Sequence, residues 1–101
     1  MESFNKIVSA NDGVHKYKII LRKDGKKIKT IKFGAVNYQH FTSGHLDEQR
    51  RKRYEDRHKK KENWNDEKTA GYYSYNFLWR FKTYNEAKKW INTDLKRKGY
   101  S

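Results

Sequence analysis

Residues 15–33 read HKYKIILRKDGKKIKTIKF. Apolar residues alternate with lysines on both sides of Asp24-Gly25, which is the pattern of a β-hairpin. A two-residue loop would pair Leu21 with Ile28 and send Ile31 and Phe33 to the opposite face. An odd-length loop, with Lys23 and Asp24 in a type I turn and Gly25 left-handed as a bulge, gathers Tyr17, Ile19, Leu21, Ile31 and Phe33 on one face. That register is preferred because it gives one coherent apolar side. Lys18, Arg22, Thr30 and Lys32 then point outward.

Beyond Gly34 and the mixed loop AVNYQHFTSGH, a helix is expected from about Leu46 to about Glu62. Asp47 and Glu48 fall in its first turn, where acidic side chains favour the helix dipole. NWNDEKTAG then reads as loop. YYSYNFLWRF, residues 72–81, is ambiguous. Tyr73, Tyr75, Phe77, Trp79 and Phe81 alternate as in a strand, which is the reading preferred, whereas Ser74 could equally cap a short buried helix. The last element is an amphipathic helix: Thr83 and Glu86 have capping-box spacing, Ala87, Trp90, Ile91 and Leu95 form a stripe, and Gly99 follows as a stop. The expected fold class is α+β. A single small domain over 15–101 holds an N-terminal antiparallel hairpin, a central basic helix and a C-terminal amphipathic helix, preceded by an arm at 1–14.

Aliphatic residues are scarce, so the core has to come from the 16% of aromatic residues. For that reason the rings of 72–81 are read as core rather than as a base-stacking platform. The chain lacks cysteine, which excludes disulfides and thiolate metal sites. It has no apolar run near the ~20 residues of a membrane span and no signal-peptide core at its N-terminus. These features describe a soluble protein of the cell interior, or one packaged in something assembled there. The formal charge is +13, with 25 Lys and Arg against 12 Asp and Glu. Such an excess is self-repulsive, and it points to a polyanionic partner.

The densest charge is QRRKRYEDRHKKKENW, residues 49–64. On a wheel of about 100° per residue, Leu46, Arg50, Arg53, Tyr54, Arg57, Lys61 and Trp64 fall near one direction. Glu48, Lys52, Glu55, Lys59 and Glu62 gather opposite, with Glu48–Lys52 and Glu55–Lys59 in the favourable i,i+4 order. The second face is an ordinary solvated one. The first is too cationic for simple core, and arginine suits bidentate phosphate or carboxylate binding. Arg50, Arg53, Tyr54, Arg57, Lys61 and Trp64 are therefore the candidate polyanion- or partner-binding residues. In the competing reading, Leu46, Tyr54 and Trp64 anchor the helix while the arginines pair with internal carboxylates or snorkel at the rim. The basic clusters RRKR and HKKK also superficially suit nuclear import.

Catalytic motifs are missing: there is no P-loop, Gly-rich dinucleotide turn, cysteine nucleophile or serine elbow. His45 with Asp47, and His58 with Glu62 at helical i+4 spacing, could ligate a metal or serve a nuclease using His45, Asp47 and His58 only if they converged with further ligands and a second shell. His45 and Asp47 also fit a plain role at the helix entrance. Neither an enzyme, a metal nor a cofactor is expected.

Several motifs add a resemblance. These are K-F-G-A at Lys32–Ala35, Y-x-x-F-T at Tyr38–Thr42, H-x-D at His45–Asp47, R-H-K-K-x-E-N-W at Arg57–Trp64, T-A-G at Thr69–Gly71 and L-W at Leu78-Trp79. Together they resemble a family of small basic uncharacterised proteins of nucleocytoplasmic large DNA viruses of algae and amoebae. The likeness spans roughly residues 15–80. Ser74-Tyr75 stands where that family often carries S-R. The resemblance implies a non-enzymatic virion structural protein, a minor capsid or cement component contacting viral capsid proteins. Its place would be the virion, and the host cytoplasm or nucleus during assembly. The alternative is a DNA-binding or DNA-condensing protein that grips double-stranded DNA phosphates with the arginine face of helix 46–62.

Overall fold

The computed structural model describes residues 7–36 and 39–100. Tyr38, one of the motif residues, lies outside them. The fold is α+β: a three-stranded antiparallel sheet with one face covered by helices. Strand β1 (Ile7–Ser9) pairs with β2 (His15–Lys23), which pairs with β3 (Lys26–Ala35). A single π-helical turn (Phe41–His45) leads to α1 (Glu48–His58), followed by α2 (Ala70–Leu78) and α3 (Tyr84–Arg97). No helix among the described residues is long and apolar enough to cross a membrane.

The hairpin has the expected faces, reached by a different turn. Asp24 (φ 53°) and Gly25 (φ 78°) are both left-handed, as a two-residue type I′ loop requires, and Lys23 pairs with Lys26. The parity is restored inside the strand. A bulge opposite Leu21 and Arg22 shifts the partner of Leu21 to Lys29 and leaves Ile28 as the extra, half-exposed residue. Tyr17 thus faces Phe33 and Ile19 faces Ile31 on the covered side. Ile7–Ser9, placed by the sequence in an arm, extends the sheet edge; three residues are too few to show alternation.

Residues 72–81, read as a strand, form α2 and its exit. The helix starts at Thr69, whose hydroxyl accepts from the Tyr72 amide, rather than at Ser74. Tyr72, Tyr73, Asn76, Phe77 and Leu78 are all buried. A helix covered nearly all round has no clean polar stripe, and its rings produce a strand-like alternation by coincidence. Phe33 stacks on Tyr73 with ring centroids 5.5 Å apart, and Tyr17 meets Phe77 edge-on at 5.2 Å. The aromatic residues do build the core.

α3 follows expectation. The Thr83 hydroxyl accepts from the Glu86 amide, and Ala87, Ile91 and Leu95 are buried. At its end Gly99 (φ 94°) allows Tyr100 N to reach Leu95 O at 3.0 Å and Gly99 N to reach Lys96 O at 3.1 Å, a Schellman stop. Between α2 and α3, the Tyr72 hydroxyl donates to the buried Asp94 at 2.6 Å, and Lys98 and Arg97 complete the carboxylate's partners.

Candidate functional site

α1 is shorter than expected. Leu46 is left-handed (φ 55°), and Asp47 caps the helix by accepting from the amides of Gln49 and Arg50. His45 Nδ1 accepts from the Asp47 amide at 2.9 Å, so this pair shapes the helix entrance. His58 sits at the other end of α1, about 15 Å away at 1.5 Å per residue, so His45, Asp47 and His58 do not converge. After His58 the chain turns, with Lys61 N and Glu62 N both donating to His58 O. That turn carries Glu62 off the solvated face where the wheel placed it.

The wet-side pairing also differs. Glu48 bonds Arg51 at 3.0 Å rather than Lys52, and Lys59 meets Asp56 rather than Glu55. Arg51 further approaches Glu55, donates to the Arg80 carbonyl and lies over the Phe41 ring at 4.8 Å. Arg51 is thus the arginine that ties α1 to the body of the domain. Tyr54 anchors the same helix from its inner side. Its buried ring stacks on Trp79 (4.4 Å, 8°) and on His58 (4.2 Å, 23°). Burial first, then Glu62, pushes its phenol above the ordinary range, keeping it neutral.

Arg50, Arg53 and Arg57 form one wall of a cleft of about 590 Å³. The end of β3 (Gly34, Ala35) with Gln39 and His40 lines it, as do α2's Ser74 and Leu78, Trp79 just beyond α2, and His58 with Glu62. Arg50 donates to the Gln39 side chain at 3.2 Å. Among the described residues, neither Arg53 nor Arg57 has a hydrogen bond or an ion pair. Glu62 is the one carboxylate in this lining, and it is already engaged. Its Oε2 lies 3.0 Å from His58 Nδ1, and its Oε1 accepts from Trp64 Nε1 at 2.9 Å. Lys16 adds a further cation beside the cleft, its Nζ 3.1 Å from His40 Nε2. Burial, then Lys16 and His45, push the His40 imidazole down to about 4, so it is neutral at pH 7 and can accept from Lys16.

Of the residues singled out in the sequence, the structure brings Arg50, Arg53, Tyr54 and Arg57 into the cleft. Lys61 is exposed on the turn after α1, and Trp64 stacks flat on Tyr75 at 3.8 Å, buttressing α2. His40, Gln39, Trp79 and Lys16 were not expected here. They reach the cleft through tertiary packing, which no local spacing announces. His58 and Glu62 did carry a signal, their i,i+4 spacing.

A family model matches the chain over residues 6–58, just over half of its length: the chain belongs to the Family of unknown function (DUF5754). The match spans the sheet, the π turn and α1 with its three cleft arginines. No curated protein and no solved structure gives a match.

Proposed function

We propose that this member of a family of unknown function is a non-enzymatic binding protein that grips the phosphates of a nucleic acid with Arg50, Arg53 and Arg57. One observation carries the reading: three guanidiniums share a wall whose single carboxylate is already held by His58 and Trp64. Uncompensated cations in a concavity repel one another, and an incoming polyanion relieves that repulsion. Phosphate contacts of this kind position a nucleic acid without reading its sequence. Affinity for a DNA fragment in a gel shift should therefore fall steeply with salt. Replacing all three arginines by Ala should weaken binding and flatten the log–log salt slope by about 0.9 for each phosphate left without its arginine. Unchanged affinity and slope, with Lys88→Ala as the surface control, would refute it.

A second reading is favoured by Val14 and Val36, which are 62% and 41% exposed and joined by a backbone hydrogen bond of 3.2 Å. They adjoin Ala35 on the cleft rim. A minor capsid or cement protein of a large DNA virus particle, as the sequence resemblance implies, would use this apolar pair and the arginines to hold an acidic segment of a capsid subunit. Cross-linking in intact particles should then join this edge to a capsid protein. Its absence from such cross-links would remove the reading.

A further inference from the structure

The cleft is more selective than a general phosphate grip requires, and its shape and its histidine say for what. A duplex is a convex rod, and each phosphate along it has one negative charge and two oxygens tied up in ester links. A group at the end of a flexible tether fits a concavity of about 590 Å³, a size within the roughly 300–1,000 Å³ of small-ligand sites, more deeply than a duplex backbone does. A phosphomonoester is such a group, with three free oxygens and a charge of about −1.5 to −2 at pH 7. Among the described residues nothing takes up the donors of Arg53 and Arg57, and Arg50 spends one on the neutral Gln39.

His58 supplies the fourth partner. A carboxylate only accepts, so Glu62 at 3.0 Å requires the proton on Nδ1. Nε2 then carries the lone pair, and among the described residues it has no partner. It can donate to a phosphate oxygen only after taking up a proton. We propose that the cleft is a binding site for a terminal phosphate, that of a mononucleotide or a phosphorylated chain end, in which His58, oriented by Glu62, is the partner beside the three arginines. The other charged or titratable groups around His58 are Arg50, Arg53, Arg57, Glu62 and Tyr54, with Lys16 and His40 across the cleft. His40 already accepts from Lys16 and stays neutral, so it does not share the role. The proposal rests on the phosphate-binding reading of the arginines but specifies which phosphates.

The test is a titration of the full chain, followed by tryptophan fluorescence because Trp79 lines the cleft. A nucleoside 5′-monophosphate should saturate the signal, inorganic phosphate should compete with it, and the unphosphorylated nucleoside should do neither. Arg53→Ala with Arg57→Ala should weaken the monophosphate by about tenfold or more, the loss of charge-assisted bonds. At constant pH, His58→Gln should weaken the monophosphate several-fold and leave the nucleoside unchanged. A His58→Gln variant that binds the monophosphate as tightly as the wild type, or a nucleoside that binds as well as its monophosphate, would overturn the proposal. A duplex gel shift run alongside separates the two readings. Arginine-dependent duplex binding without monophosphate binding sinks this inference and spares the broader one. Monophosphate binding without duplex binding does the reverse.

Discussion

A Cβ added at Gly71, near the start of α2, would lie 3.0 Å from Glu62 Cδ and 3.1 Å from Oε1. Gly71→Ala therefore sets two effects against each other. Within a helix, alanine gains about 0.5–1 kcal/mol over glycine because less backbone entropy is lost. Here the methyl needs the carboxylate held by His58 Nδ1 and Trp64 Nε1 to give by a few tenths of an ångström. At about 0.5–1.5 kcal/mol net per hydrogen bond, straining both costs up to about 1–3 kcal/mol. The loss outweighs the gain, and Gly71→Ala should destabilise by about 1 kcal/mol, lowering the midpoint by roughly 4–8 °C for a domain of this size. In a Glu62→Ala background the obstacle is gone, and the same substitution should stabilise by about 0.5–1 kcal/mol. Thermal and urea unfolding of the four proteins, followed by circular dichroism, gives the coupling directly, as residues in contact are not additive. If Gly71→Ala is stabilising by the same amount with and without Glu62, the carboxylate is not clamped between α1 and α2 and the reasoning fails.

Two further outcomes test the body of the domain. Tyr72→Phe removes the 2.6 Å bond to Asp94, which is 4% exposed, and should cost about 1.5–3 kcal/mol in urea unfolding at pH 7, with Lys98 and Arg97 still in place. Burial alone would push the Asp94 carboxyl up, but the bonds from Tyr72, Lys98 and Arg97 outweigh it and hold the group below the ordinary range. Its contribution is therefore complete above the unfolded value of about 3.9 and is lost as pH falls through the folded one, so the penalty of Tyr72→Phe should shrink in acid. An equal penalty in strong acid would contradict this. For His40, burial, then Lys16 and His45, lower the imidazole from 6.5 to about 4. Between those values the unfolded chain binds a proton that the fold refuses, so stability rises with pH there, by on the order of 3 kcal/mol in all. His40→Gln should flatten that rise in urea midpoints; an unchanged pH profile would show that His40 is not the group responsible.

The legible parts of the sequence were those with local periodicity or a terminal signal. The hairpin faces followed from alternation, and α3 followed from Thr83, the Ala87–Trp90–Ile91–Leu95 stripe, of which Trp90 is only half-buried, and Gly99. The turn departs from expectation for a physical reason. Parity demands one extra residue somewhere between Leu21 and Ile31. The sequence does not say whether the turn or the strand absorbs it, because Asp24-Gly25 serves an odd or an even loop. α2 gives no helical signal because rings on every side erase the polar face that distinguishes period 3.6 from period 2. The cleft was half legible. Helical spacing put Arg50, Arg53, Tyr54 and Arg57 together, but the opposing wall from β3, His40 and Trp79 exists only once α1 packs against α2.

A finer signal lay in the neighbours of each arginine. Arg51 has Glu48 three residues before it and Glu55 four after, and it pairs with both. At the same spacings Arg57 meets Arg53, Tyr54, Lys60 and Lys61, none of them acidic. Arg50 meets Asp47, whose side chain is spent on capping α1, and Arg53 meets Asp56, which pairs with Lys59. Among the described residues the helix thus neutralises one arginine and leaves three without a carboxylate, all on the wall of the same cleft. Local electrostatics alone gives no reason for that division, since like charges at i,i+4 destabilise a helix and Arg53 with Arg57 is such a pair. Among the described residues the three cleft arginines therefore stand without a neutralising carboxylate, Arg50 holding only the neutral Gln39, and it is this local pairing, not the total charge, that separates them from Arg51.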